Sequence, residues 1–171
     1  EMGMSHFGEI SRLSKTAAPD IGVITNIGVS HIENLGDREG ILKAKLEIKD
    51  GLSGKYPLVL NADNDLLSSV KGDVLLYGID SPNCDVRAEN ISRQDMITSF
   101  DIIYNGGSYH AEVPAVGKHN VYNALAAFCT GVLLGMDIDG ILQGLSEYEN
   151  TGMRQNIVNY GGITVIEDCY N

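Results

Sequence analysis

Apolar residues recur along this chain in two rhythms, and the changes of rhythm mark its elements. Over residues 5–15, Phe7, Ile10 and Leu13 fall at helical spacing and Pro19 closes the segment, which predicts a short amphipathic helix. The run Ile21-Gly22-Val23-Ile24 then stops at Thr25 and Asn26, so residues 20–26 are predicted to form a buried strand. Helical spacing returns over residues 37–50, with Asp37 as a fitting N-cap and Gly51 as the stop. Two more short apolar runs, at 57–61 and 73–78, each end in polar turn residues. Three strand-then-turn units separated by helical stretches predict parallel βαβ winding.

The texture changes at Cys84. Residues 84–114 alternate loosely between apolar and polar, and Asn105-Gly106-Gly107 supplies a turn, so an antiparallel hairpin or small meander is predicted there. It reads as an elaboration of one domain, because no linker or low-complexity tract sets it apart. Residues 117–134 are strongly helical, with Val121, Leu125, Phe128 and Val132 on one face, and residues 138–145 form a second, shorter helix. Tyr160-Gly161-Gly162 separates two strand-like runs, 155–159 and 163–166. The expected fold class is α/β: a mostly parallel sheet flanked by helices, with a small antiparallel meander.

Composition narrows the partners. The 171 residues suit one domain with a sizeable core. Twelve basic against 23 acidic residues leave a net charge of −11, which disfavours a nucleic-acid backbone or an anionic membrane as partner. Phosphate ligands remain open, because backbone N–H groups and a metal can hold them. Cys84, Cys129 and Cys169 are widely spaced, odd in number and form no CxxC pair, as expected of reduced thiols in a cytoplasmic protein. No signal peptide is visible, and no apolar run approaches the ~18 residues of a membrane span. The chain opens on Glu1-Met2-Gly3-Met4 and ends on Asp168-Cys169-Tyr170-Asn171, just past an apolar run. The expectation is a domain trimmed at both ends.

In open α/β sheets ligands sit beyond the carboxyl ends of the strands, which is where Thr25, Asn26 and His31 fall. Glu1 and His31 are ordinary ligands for a divalent cation. Lys45 cannot ligate while charged, but desolvation lowers a lysine pKa, and the neutral amine can add carbon dioxide to become a carbamate. Against this, a lone histidine after a strand is often a structural hydrogen-bonding residue, and a helix lysine is often solvated. Asn120 and Asn123 lie three apart near a helix start; an amide can read a purine edge, although N-terminal capping is the better reading for Asn120, while Asn123 lies too far in for capping to explain it. Arg154 offers a bidentate cation for phosphate, and Asp168, at the end of the last strand, could bind ribose hydroxyls. Each is weak alone: a loop arginine is usually solvated, and an aspartate ending a strand is usually a turn residue. Neither G-x-x-x-x-G-K-[ST] nor G-x-G-x-x-G occurs, so the chain carries no phosphate loop of its own.

Taken in order, these pieces resemble the central domain of the Mur ligase family. The resemblance runs nearly end to end: Glu1-Met2-Gly3-Met4 with Gly8-Glu9-Ile10; Thr25-Asn26-Ile27-Gly28 leading to His31-Ile32-Glu33; Ala44-Lys45-Leu46-Glu47-Ile48; Leu60-Asn61-Ala62-Asp63. It continues through Gly117-Lys118-His119-Asn120-Val121-Tyr122-Asn123-Ala124-Leu125, Gly152-Met153-Arg154 and Asp168-Cys169-Tyr170-Asn171. Each short motif is weak alone; their joint order and spacing are specific. The wording around His31 resembles the members that add D-alanyl-D-alanine rather than those that add the earlier amino acids.

The resemblance implies a P-loop-type ATPase-like fold and roles residue by residue. Glu1 and His31 match Mg²⁺ ligands, and Lys45 matches the lysine whose carbamate supports a second metal. Asn123 matches the adenine-contacting asparagine, with Asn120 beside it. Arg154 matches the arginine that reaches the ATP phosphates, and Asp168 the aspartate that holds the ribose. The implied reaction is ATP-dependent joining of D-Ala-D-Ala to UDP-N-acetylmuramoyl-tripeptide through an acyl phosphate, in peptidoglycan precursor synthesis. Family members also carry an upstream phosphate loop, a UDP-sugar-binding domain and a carboxy-terminal domain, so residues 1–171 are expected to be a partial central domain that ligates nothing alone. The alternatives are a non-catalytic nucleotide- or metal-binding module and another ligase of the superfamily, of folylpolyglutamate or cyanophycin type.

Overall fold

The strand Leu58–Asn61 (β2) is buried at all four positions, the pattern of a strand covered on both faces. Its side chains alternate between two cores. Val59 joins Tyr77, Phe100, Leu125 and Phe128 on one side of the sheet, while Leu58 and Leu60 join Ile10, Ile27, Leu35 and Ile41 on the other. The computed structural model describes residues 1–149 and 156–167.

The chain begins with α1 (Glu9–Ala17), β1 (Val23–Ile24), α2 (Ile32–Leu35) and α3 (Arg38–Leu46), which runs into a 3₁₀ turn, Glu47–Gly51, ahead of β2. There follow β3 (Val74–Gly78), β4 (Val86–Gln94), β5 (Ile97–Tyr104), β6 (Gly107–Val113), α4 (Lys118–Leu133), α5 (Ile138–Ser146), β7 (Asn156–Tyr160) and β8 (Ile163–Glu167). Strands β1 to β6 form one sheet in sequence order. The pairs β1–β2, β2–β3 and β3–β4 are parallel, and β4–β5 and β5–β6 are antiparallel. The meander therefore continues the parallel sheet within one domain, as expected. Strands β7 and β8 pair antiparallel in a separate sheet. No helix among the described residues is long and apolar enough to cross a membrane.

Local chemistry sets the boundaries. Asp37 and Asp137 cap α3 and α5, accepting the N–H of Gly40 at 2.7 Å and of Gly140 at 2.8 Å. Asn105 and Gly106 both adopt positive φ (47° and 77°), the two-residue turn that matches strand twist, and it joins Tyr104 to Gly107 across β5–β6.

Four boundaries differ from the sequence-based expectation, one of them the end of α3 at Leu46 rather than residue 50. The first helix begins at Glu9 rather than residue 5, because the Glu9 carboxylate folds residues 5–8 into a turn by accepting the N–H groups of Ser5 and His6. Strand β1 shrinks to two residues; among the described residues it pairs only with β2, and its chain leaves the ladder at Thr25, where side chains from the end of β2 bond the backbone and Asn26. The β2–β3 crossover carries only a 3₁₀ turn, Leu67–Ser69, in place of a helix.

Candidate functional site

The register Ile24↔Leu60 places Thr25 beside Asn61, at the carboxyl ends of β1 and β2. From there the backbone carbonyls of residues 25–27 are met one by one. Thr25 O accepts from Asn61 Nδ2 at 3.3 Å, and Asn26 O accepts from Lys45 Nζ at 2.8 Å. Ile27 O accepts from Asn64 Nδ2 at 3.2 Å and from Arg38 Nη2 at 3.1 Å. Asn64 also donates to Asn26 Oδ1 at 2.9 Å, and Asp65 holds the Arg38 guanidinium through both carboxylate oxygens. Asn61 and Asn64 are buried, so each bond replaces water that cannot reach the turn. Their types alone read as turn residues; the signal that would reveal them is their place at the end of the strand paired with β1.

A cavity of about 940 Å³ opens beyond this turn, and Glu1, Thr25, Asn26, His31, Lys45 and Asn123 line it. These residues come from the amino-terminal segment, the end of β1, the start of α2, the last turn of α3 and α4. Glu1, His31, Lys45 and Asn123 thus border one cavity.

His31 stands at the N-cap of α2 with φ 65°, a left-handed conformation unusual for a residue with a side chain. Its Nδ1 lies 3.5 Å from Ser5 Oγ. Lys45 is half-buried, and burial pushes its ammonium below the ordinary lysine pKa. Its contact is a neutral carbonyl, and no ion pair to Lys45 forms among the described residues. Asn123 lies exposed on α4.

Asn120 behaves differently. Gly117 is the N-cap of α4 with φ 110°, and no side chain caps that terminus. Instead Asn120 Nδ2 donates back to Val116 O at 2.9 Å, so the expected capping by Asn120 is replaced by a bond in the reverse direction. Asn120 lines a second cavity, of about 600 Å³, on the apolar face between α4 and α5, and only Asn123 borders both. Arg154 and Asp168 lie outside the described residues. Among the described residues no group of three or more His, Cys, Asp and Glu side chains is placed to hold a metal ion.

The Mur ligase middle domain matches residues 1–131. The UDP-N-acetylmuramoyl-tripeptide–D-alanyl-D-alanine ligase of Bacillus subtilis is 41% identical over 100% of this chain, and the chain spans 37% of the length of that protein. A crystal structure of MurF from Acinetobacter baumannii matches 99% of this chain with a TM-score of 0.90 at 28% identity, 38% of that protein being covered. MurF from Thermotoga maritima, solved in complex with ADP, shares the fold with a TM-score of 0.83 at 24% identity, over 100% of this chain and 40% of that one.

Proposed function

Because the chain belongs to the Mur ligase family through its middle domain, we propose that it forms the nucleotide- and metal-holding part of a ligase joining D-alanyl-D-alanine to UDP-N-acetylmuramoyl-tripeptide. The observation that carries this reading is the meeting of Glu1, His31, Lys45 and Asn123 around one cavity at the carboxyl end of β1. In such a reaction ATP phosphorylates the tripeptide carboxylate, releasing ADP; the amine of D-Ala-D-Ala then displaces phosphate and loses a proton to give the amide. Magnesium, when bound, would neutralise charge on the phosphoryl group in transfer.

The chain's own residues divide that work. Glu1 and His31 supply an oxygen and a nitrogen donor. Lys45, desolvated and with no carboxylate partner among the described residues, keeps a larger neutral fraction than a solvated lysine, which favours uptake of carbon dioxide. The resulting carbamate retains one N–H, so the bond to Asn26 O survives the modification while two anionic oxygens are added to the cavity. Asn61, Asn64 and Arg38 hold the turn that fixes Asn26 and so orient the Lys45 head group. Asn123 presents an amide to the base, with Asn120 on the adjoining face of α4. Arg154 is assigned to the phosphates and Asp168 to the ribose. The tripeptide precursor and D-Ala-D-Ala would be met largely by parts of the ligase outside these 171 residues.

Titration with Mg²⁺–ATP, followed by amide NMR shifts, tests the reading. Shifts should cluster in residues 25–31, 45 and 118–124, and His31→Ala and Asn123→Ala should each weaken binding about tenfold. Shifts confined to another face, or variants that bind as the parent does, would overturn it. The chain alone should form no amide from ATP, tripeptide precursor and D-Ala-D-Ala.

A further inference from the structure

Asp63, just past β2, has no part in the cavity, yet it gathers more hydrogen bonds than any residue that lines it. Its Oδ2 accepts the N–H of Ile79 at 2.6 Å, the N–H of Asp80 at 3.0 Å and the Tyr122 hydroxyl at 2.8 Å. Its Oδ1 accepts the N–H of Ser81 at 2.6 Å. Asn61 Oδ1 in turn accepts the Asp63 N–H at 2.9 Å, which orients the residue from behind. One carboxylate thereby ties the end of β2 to the loop after β3 and to α4.

We propose that Asp63 is a positioning residue for the nucleotide site: through Tyr122 it fixes the rotation of α4 about its axis and so sets Asn123 against the cavity of Glu1, His31 and Lys45. The inference rests on the proposed function for its nucleotide, though not for its geometry. Asn123 follows Tyr122 directly, about 100° further round the helix. Its side chain has no hydrogen-bonding partner among the described residues, so the placement of the amide follows the rotation of the helix. Val121, Ala124 and Leu125 pack this end of α4 into the core, and among its polar contacts the Lys118–Asp80 pair lies at 2.5 Å with both side chains largely exposed. An exposed pair of that kind contributes little. The Asp63–Tyr122 bond is charge-assisted and half-buried, which makes it the stronger restraint. Burial alone would raise the Asp63 pKa, but the three backbone donors and the Tyr122 hydroxyl outweigh it and hold the carboxyl below its ordinary value. The restraint is therefore ionised, and intact, across the neutral range.

Tyr122→Phe removes one O–H and keeps the ring, so the variant should fold. In the nucleotide-free protein its amides at residues 121–125 should exchange about tenfold faster than the parent's. Amides of β5 and β6 should keep their parental rates, and the melting temperature should barely move. Asp63→Asn removes the charge and, in either amide orientation, turns one acceptor into a donor that faces at least one backbone N–H, so it should exceed Tyr122→Phe in the same direction. In an Mg²⁺–ATP titration Tyr122→Phe should lose about threefold to tenfold in affinity, and Tyr122→Phe with Asn123→Ala should lose little more than Asn123→Ala alone. Parental exchange rates in both variants would overturn the proposal, as would parental nucleotide affinity in Tyr122→Phe. If the parent itself binds no Mg²⁺–ATP, the proposed function falls, and the exchange rates still decide the clamp.

Discussion

Lys45 is held where its charge is costly. Burial lowers the pKa of the ammonium in the folded chain, while the unfolded chain keeps the ordinary lysine value. Below the folded-state pKa the cost of the buried charge is present in full. Between the two values the unfolded state binds more protons, so stability rises with pH through that window. Lys45→Met keeps most of the stem and removes the charge. Its stability relative to the parent, from urea unfolding, should therefore fall steadily as pH is raised from neutrality toward the lysine range; a flat difference would mean that the ammonium is well solvated. The sequence singles out His31 from its place after a strand and Lys45 and Asn123 from their places on helices, and it offers Glu1 by residue type and resemblance alone. Asn61, Asn64 and Asp63 are not singled out, although Asn61 and Asp63 belong to a quoted motif. Their roles depend on which strands are neighbours, and residue type does not carry that. The positive φ of His31 is likewise invisible in a hydrophobic pattern.

At the level of elements, α1 lacks a side chain to cap itself, because its N-cap is Gly8. Glu47 supplies the missing acceptor from the 3₁₀ turn, taking the Gly8 N–H at 2.8 and 2.9 Å and the Ser11 N–H at 3.2 Å. The buried Ser14 then donates to Ile48 O at 2.5 Å, and Gly51 lets the two backbones touch: a Cβ there would lie 2.2 Å from the Ser14 carbonyl. Glu47→Ala should cost about 1 kcal/mol, as the loss of a helix cap does. Gly51→Ala should cost at least about 2 kcal/mol, since backbone rather than a flexible side chain must move. Urea unfolding measures both, and a neutral Gly51→Ala would contradict the close approach. This docking also explains a boundary. Spacing predicts one helix over 37–50, whereas α3 ends at Leu46 and the chain tightens into a 3₁₀ turn to present Glu47 and Ile48 to α1. Apolar periodicity reports a helix's own rotation; it holds no information about a partner element met after the chain turns back.

For the molecule as a whole, the parallel order of β1, β2 and β3 follows from three strands whose polar ends must share one edge of the sheet, and the meander joins because β4 pairs with β3 along Tyr77 and Gly78. Those strands bury side chains on both faces between two helical layers. The β7–β8 hairpin differs in kind. It forms its own two-stranded sheet, and Tyr160, Ile163 and Val165 are exposed. A pair of strands without a third strand or a covering helix is marginal in water. Native-state hydrogen exchange should therefore divide the molecule. Amides of β2 and β3 should exchange only through global opening, with the full unfolding free energy. Amides of β7 and β8 should exchange through local opening that responds little to added urea. Strand β1, two residues long and paired among the described residues with β2 alone, should fall between them. If β7 and β8 are as protected as β2 and show the same urea dependence, the hairpin is part of the cooperative core, and its exposed apolar side chains must be covered by something that the isolated sheet topology does not reveal.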